Sequence, residues 1–342
     1  MAITKVTTPV TGFESPVDIG LKIPVGTNSN VPTGVEGMIR NDTDENSGGA
    51  NSTTAITYYN GSSWEKFTST ESPDVTPLVI NYLVVAGGGA GQGRRGGGGG
   101  AGGLLATTTY GGSNNAFTLS PSYYTFTVQV GSGGIGVLGS SGSFAATGNN
   151  SSFNDGNGNS AFGWGGGGGG ASTLVGQPGG SGGGGGNGGS SYSNQGGAVY
   201  DANAECSPGG RSPTFADAGG GGGATGPTPA GFFNLGATGL TTDITGTNVT
   251  YGVGGRGGYN AQGYGNGVNA AANTGSGGSG MFDGFTVGGN TAGSGGNGVV
   301  IFRYPNNFTA SSTLTYTDSP LSGTNDRVII ITGVGSGTIT FT

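Results

Sequence analysis

Leu78-Val79-Ile80-Asn81-Tyr82-Leu83-Val84-Val85-Ala86 runs without a break into Gly87-Gly88-Gly89-Ala90-Gly91-Gln92-Gly93-Arg94-Arg95, and a second glycine run then reaches Gly103-Leu104-Leu105. The first nine residues read as a strand, because a short apolar run rich in β-branched side chains suits a pleated sheet. The glycine runs beyond it fit no ordinary element. Glycine is roughly 1 kcal/mol per residue worse than alanine in an α-helix, and it gives a sheet no side chain to pack. Ordering each residue still costs about 1–2 kcal/mol of backbone entropy. A packed bundle of extended threefold helices offsets that cost. Such helices rise about 3.1 Å per residue, make no internal hydrogen bonds, and pair their N–H and C=O groups with neighbours. Without Cβ atoms they can approach one another on every side. The alternative is a set of flexible glycine linkers. Strands bracket the region and aromatics interrupt it, which linkers do not require.

The pattern recurs at 87–103, 163–170, 182–189, 219–223, 252–258, 275–280 and 293–298. A strand over Tyr124–Val130 alternates apolar and polar residues, and Val299–Tyr304 forms another, stopped by Pro305. Beyond it, Thr313–Thr317, Arg327–Thr332 and Thr338–Thr342 read as strands, and no segment has a helical period. Upstream, Asn60-Gly61 between two apolar runs is a hairpin turn signal, with Trp64 and Phe67 as its natural core. The expected fold is mostly β and irregular. Residues 1–35 form an extended arm, 36–69 a small β hairpin unit, 70–77 a linker, 78–305 a glycine-rich polyglycine II and β domain, and 306–342 a C-terminal β domain.

Composition narrows the function. Of 342 residues, 85 are glycine and 14 proline, yet only 8% are charged. Disorder couples low hydrophobicity to high net charge, so an ordered assembly fits better. The absence of histidine removes imidazole metal sites and His-dependent catalysis. The single cysteine, Cys206, excludes an internal disulfide. A net charge of −7 argues against nucleic acid as a partner. The N-terminal residues lack a signal-peptide core, and no apolar run is long enough to span a bilayer. A virion protein, made in the host cytoplasm, reconciles this composition with a missing export signal.

Chemistry-bearing motifs are weak. Gly91-Gln92-Gly93-Arg94-Arg95-Gly96 fits a dinucleotide fingerprint, but glycine stands where a helix is needed. No lysine occurs after Lys66, which excludes a phosphate-binding loop of the Walker type. Arg94-Arg95-Gly96-Gly97 is one RGG element in an acidic chain; salt-bridge or receptor-facing cations are the simpler reading. The stretches at Asp42 and at Asp155-Gly156-Asn157-Gly158-Asn159 suit turns better than calcium loops. Asp201 and Glu205 could pair as glycosidase carboxylates, but nothing marks them. The expectation is a protein that is not an enzyme, with no cofactor and no metal.

Tyr82–Gly91, Gly96–Leu105, Tyr124–Gly131 and Gly298–Pro305, in that order, resemble the glycine-rich domain of phage tail-fibre and adhesin proteins. That resemblance covers residues 80–305 and implies polyglycine II bundles with receptor-binding loops at one tip. The stretch from Gly37 to Phe67 more loosely resembles a short unit of phage fibre proteins, which implies trimeric virion appendages. The expected partners are therefore other copies of the chain as a trimer, other virion proteins through the N-terminal arm, and a host cell-surface molecule. Neither nucleic acid nor membrane insertion is expected.

Aromatic residues among Ser, Asn, Thr and Gly between 190 and 285 are the best binding signal, because rigid rings beside adaptable polar groups make good contact surfaces. Tyr200, Phe232, Phe233 and Tyr259 are the expected receptor-binding residues. The same rings could instead plug the bundle ends or pack between subunits. The rival function is a structural head fibre or decoration protein without a specific receptor.

Overall fold

The computed structural model describes residues 25–26, 39–42, 55–66, 78–119, 124–138, 143–187, 194–200, 204–212, 217–226, 234–259, 266–281 and 290–342, with backbone alone at 25–26, 40–42, 55–57 and 64–66. The chain divides into two compact units, Met1–Val75 and Thr76–Thr342.

In the first unit, β1 (Val25–Gly26), β2 (Ile39–Asp42), β3 (Ala55–Tyr59) and β4 (Trp64–Lys66) form one sheet in that order. The expected hairpin is present, with Tyr59 opposite Trp64. Asn60 shapes the turn: its Oδ1 accepts from the backbone N–H groups of Ser62 and Ser63, and Gly61 takes a φ of 98°. This is an Asx turn, in which a side chain substitutes for a backbone acceptor. The Trp64 side chain and Phe67 lie outside the described residues, as does the arm apart from Val25–Gly26.

In the second unit, the strands are β5 (Leu78–Val85), β6 (Leu104–Ala106), β7 (Phe117–Leu119), β8 (Thr125–Val130), β9 (Ser151–Asn154), β10 (Ser160–Gly163), β11 (Leu240–Thr242), β12 (Val249–Tyr251), β13 (Val299–Pro305), β14 (Ala310–Ser312), β15 (Tyr316–Pro320), β16 (Asp326–Ile331) and β17 (Gly335–Phe341). One sheet has the order β15-β16-β13-β5-β6, with β7 also paired to β5. A second has the order β10-β9-β8-β17-β14. Alternate residues of each meet in a shared core, where Ile80, Tyr82, Phe302 and Tyr304 pack with Phe126, Phe153 and Phe341. The Phe153 ring lies 5.0 Å from Tyr82 and 5.1 Å from Phe302. The other face of β5 and β13 is buried too: Leu83, Val85, Val299 and Ile301 pack with Leu240, Ile244 and Tyr251 around the β11–β12 hairpin. Burial on both faces explains why β5 reads as a nearly continuous apolar run.

Residues 306–342 complete these sheets, since β15 and β16 extend one and β14 and β17 the other. The expected strand at Thr313–Thr317 is broken for the same reason. The chain bends over 313–315 as it crosses between sheets, ending β14 before it and starting β15 after it. Pro305 closes β13 from within, opposite Asp326, where a missing N–H at the strand end does little harm.

Between the strands, the glycine runs form a hydrogen-bonded bundle. Residues 87–92 show its rule. Gly87 and Ala90 donate to the carbonyls of Asn149 and Ala146, Gly88 and Gly91 to those of Gly296 and Gly293, and Gly89 and Gln92 to those of Gly100 and Gly97, all at 2.8–3.0 Å. Donors three residues apart thus reach the same neighbour. The carbonyls of Gly87 and Ala90 accept from Gly166 and Gly169, those of Gly89 and Gln92 from Gly278 and Met281, and that of Gly88 from Gly134. The run therefore has six neighbours, some parallel and some antiparallel, which is the packed threefold arrangement and not a set of linkers. Residues 96–103 repeat it, donating to 164–170, 219–222 and 275–278. The rule also recruits parts of the long polar stretches at 190–218, 224–251 and 259–274, whose sequence reads as loops. Residues 194–200, 206–212, 234–239 and 266–270 join the outside of the bundle, where only inward positions must be small. Gly197 and Gly209, for example, are linked by a 3.0 Å hydrogen bond.

Candidate functional site

The runs leave the sheets and return, so the bundle has a sheet end and a far end. The far end is marked by the reversal at Gly93-Arg94-Arg95, between the outgoing and returning runs. Arg94 and Arg95 there take φ values of 49° and 57°, an uncommon region for side chains of this size. The Gln92 side chain braces the reversal. It is fully buried, its Oε1 accepts from Gly93 N–H at 2.8 Å, and its Nε2 donates to the Ser143 carbonyl. No helix comes after it, so the G-x-G-x-x-G spacing is a turn between two runs.

Hydrogen-bond register places other residues at this end. Asn187 donates to Arg95, Met281 to Gln92, and Gly258 to Gly96. Leu138 bridges Thr291, and Asp217 bridges Tyr259. Ser212 donates to the Asn194 carbonyl, and Gly267 to that of Thr291. The described residues flanking 139–142, 188–193, 213–216, 260–265 and 282–289 therefore all meet the far end.

Tyr259 belongs to this end. It is half-buried, and the Arg256 guanidinium carbon sits 4.9 Å from the centre of its ring, a cation–π contact. Tyr200 does not. Its N–H donates to Gly179 at 2.8 Å, beside the return toward β10, so it sits at the sheet end. Runs of about seven residues separate the two ends by about 20 Å. The structure thus sets Tyr200 apart from Tyr259, while Phe232 and Phe233 lie outside the described residues.

At the sheet end, Tyr200 is part of a cluster that sequence pattern alone does not reveal. Phe162 on β10, Trp164 just after it, and Tyr200 are 41%, 40% and 60% exposed. Their rings touch in series, with centroids 5.0 Å apart for Phe162–Trp164 and 5.5 Å for Trp164–Tyr200. β10 is the last strand of its sheet. The signal for this cluster is the alternation Phe162-Gly163-Trp164 on an edge strand, which sends both rings to one face. Tyr251, by contrast, is 5% exposed within the core.

The remaining motifs resolve into structure. Asp155 closes the β9–β10 turn, its Oδ1 accepting from the N–H groups of Asn157 and Asn159 and its Oδ2 from Asn159 Nδ2. Partial burial pushes its pKa up, but the hydrogen bonds from Asn159 and Asn157 outweigh this and leave it lowered. Glu205 pairs through its backbone with Leu104, and its proposed partner Asp201 lies outside the described residues. The Asp42 side chain also lies outside them. Among the described residues no group of three or more His, Cys, Asp or Glu side chains is placed to hold a metal, and no helix is long and apolar enough to cross a membrane.

A family model described as a glycine-rich domain matches residues 65–305. Neither a curated protein nor a solved structure matches the chain.

Proposed function

The chain belongs to the glycine-rich domain family, and on that premise we propose that it is a virion appendage, a phage tail fibre or adhesin whose bundle rigidly presents host-contacting segments. The observation that supports this most is that the described residues flanking five polar segments, four of them aromatic-bearing in sequence, meet at the far end of a bundle whose interior is hydrogen-bonded on every side. Segments on a rigid scaffold are where recognition usually sits. In this reading the N-terminal arm attaches to other virion proteins, the chain assembles as a trimer, and the partner is a molecule on the host surface. Weak single contacts are multiplied by the copies on each particle. The protein acts by binding, without catalysis or a cofactor.

Two sets of variants test the proposal on virions. One replaces Phe232, Phe233 and Tyr259 with Ala; the other replaces Trp164 and Tyr200. Losing an aromatic anchor costs about 2 kcal/mol, or roughly thirtyfold in affinity per site. Adsorption to host cells should fall in at least one set while incorporation is unchanged. If both sets adsorb normally while displayed, the structural head fibre or decoration protein replaces this reading. A chain absent from purified virions overturns both.

A further inference from the structure

A pocket of about 350 Å³ opens between the 243–248 turn of the β11–β12 hairpin and the 321–325 turn joining β15 to β16. We infer that this pocket binds one pyranose ring of a neutral saccharide. None of the residues that line it carries the proposed function, so the inference does not depend on that reading.

Arg303 lines the pocket and has a side chain only 12% exposed. Its Nε donates to Asp326 Oδ2 at 2.8 Å, and its guanidinium carbon lies 5.3 Å from the centre of the Tyr110 ring. The ion pair and the ring fix the guanidinium plane. Its two terminal nitrogens donate to no described residue, which leaves a paired donor edge for a ligand. Asp243 lines the opposite turn, and its carboxylate accepts from no described residue. The hydroxyls of Thr247 and Ser322 complete the polar rim, while those of Thr245 and Thr324 donate to the Thr247 and Leu321 carbonyls of their own turns. Beside these residues, Asn81 stands opposite Arg303 in register and Thr242 precedes Asp243; the Asn81 Oδ1 and Thr242 Oγ1 atoms are buried without a hydrogen-bond partner.

Charge selects the ligand class. Asp243 and Asp326 outweigh Arg303, which disfavours an anion, while the donor edge of Arg303 disfavours a cation. Adjacent hydroxyls of a neutral sugar satisfy both at once, because each accepts from the guanidinium and donates to the carboxylate. A free amino acid could also bridge Asp243 and Arg303, but it would leave the Thr247 and Ser322 hydroxyls with little to bind. The volume lies at the lower end of small-ligand pockets, about 300–1,000 Å³, which suits a single ring.

The test is a titration of the full chain with the methyl glycosides of glucose, galactose, mannose and N-acetylglucosamine, read by ligand-observed NMR. At least one should bind with a millimolar dissociation constant. Asp243→Asn should weaken it at least about tenfold, since a hydrogen bond to a charged group is lost. That variant should melt at the wild-type temperature, as the carboxylate accepts from no described residue. Asp155→Asn, in another turn, should bind as wild type. No glycoside binding at concentrations on the order of tens of millimolar overturns the inference. So does binding unaffected by Asp243→Asn, or displacement of the sugar by serine.

Discussion

Replacing Gly167 with valine tests the bundle at its interior. The Gly167 N–H donates to Ser181 at 2.9 Å, and its carbonyl accepts from Gly100 at 2.8 Å. A Cβ there would stand 2.0 Å from the Gln177 carbonyl oxygen and 2.8 Å from the Gly183 nitrogen, where ordinary contact begins at 3.4 Å. The neighbouring run must move by more than 1 Å. That strains the 2.9 Å bonds from Gly183 to Gln177 and from Gln177 to Gly168. Overpacking costs about 1–3 kcal/mol, and two weakened hydrogen bonds add about 1 kcal/mol each. The variant should lose about 3–5 kcal/mol, and a unit of this size should melt roughly 10 °C lower. Scanning calorimetry of both proteins measures this, with Gly226→Ala as control, since a Cβ there meets nothing nearer than Thr238 Oγ1 at 3.7 Å. An unchanged or raised midpoint for Gly167→Val would refute the packed arrangement. In a free linker the same substitution would be nearly neutral, because it restricts the folded and unfolded chains alike.

Burial pushes the Tyr251 pKa up to about 12 from 10.0. Below pH 10 the phenol is neutral in both states; between 10 and 12 the unfolded chain ionises first, so stability falls as pH rises. Tyr251→Phe should flatten that alkaline loss in urea midpoints, and an identical pH slope would count against it. The lowered pKa of Asp155 has the opposite sense. Its stabilisation is present above about pH 4 and lost as pH falls through the lower folded value, so the Asn157 and Asn159 amide resonances should titrate below pH 4, and not at all in Asp155→Asn. The short N-terminal sheet is too small to be stable alone, so light scattering should show an oligomer at micromolar concentration; a folded monomer would remove the assembly proposal.

The parts of the fold set by local chemistry were legible in the sequence. β5, β8 and β13 came from apolar pattern, the Asn60 turn from its two residues, and the bundle from the lack of any other ordered form for long glycine runs. Long-range pairing was not legible. Nothing local says that Gly88 meets Gly296, or that 313–315 is a crossing and not a strand. The outer runs at 194–200 and 266–270 were hidden because their outward positions tolerate any side chain. The same limit governs the sites. Tyr200 and Tyr259 look alike in composition, yet register sends them to opposite ends, and Trp164 was masked by the glycines around it. Arg303 gave no signal, since its role depends on Asp326, Tyr110 and two turns distant in sequence.

The bundle's hydrogen-bond order also bears on how the chain is made. Residues 87–92 are synthesised early, but their partners include Gly278, Met281, Gly293 and Gly296. A ribosome adding about 5–20 residues per second needs roughly 10–40 s to supply the last of them. Until then the central run cannot take its place, and β5, which leads into it, waits for β13 to cover its edge. Contacts so distant in sequence also make folding slow, since long loops must close before any of them is rewarded. The central run and the β13-facing edge of β5 thus stay without these partners until residues 278–305 have been made, and only then can this part of the bundle become rigid.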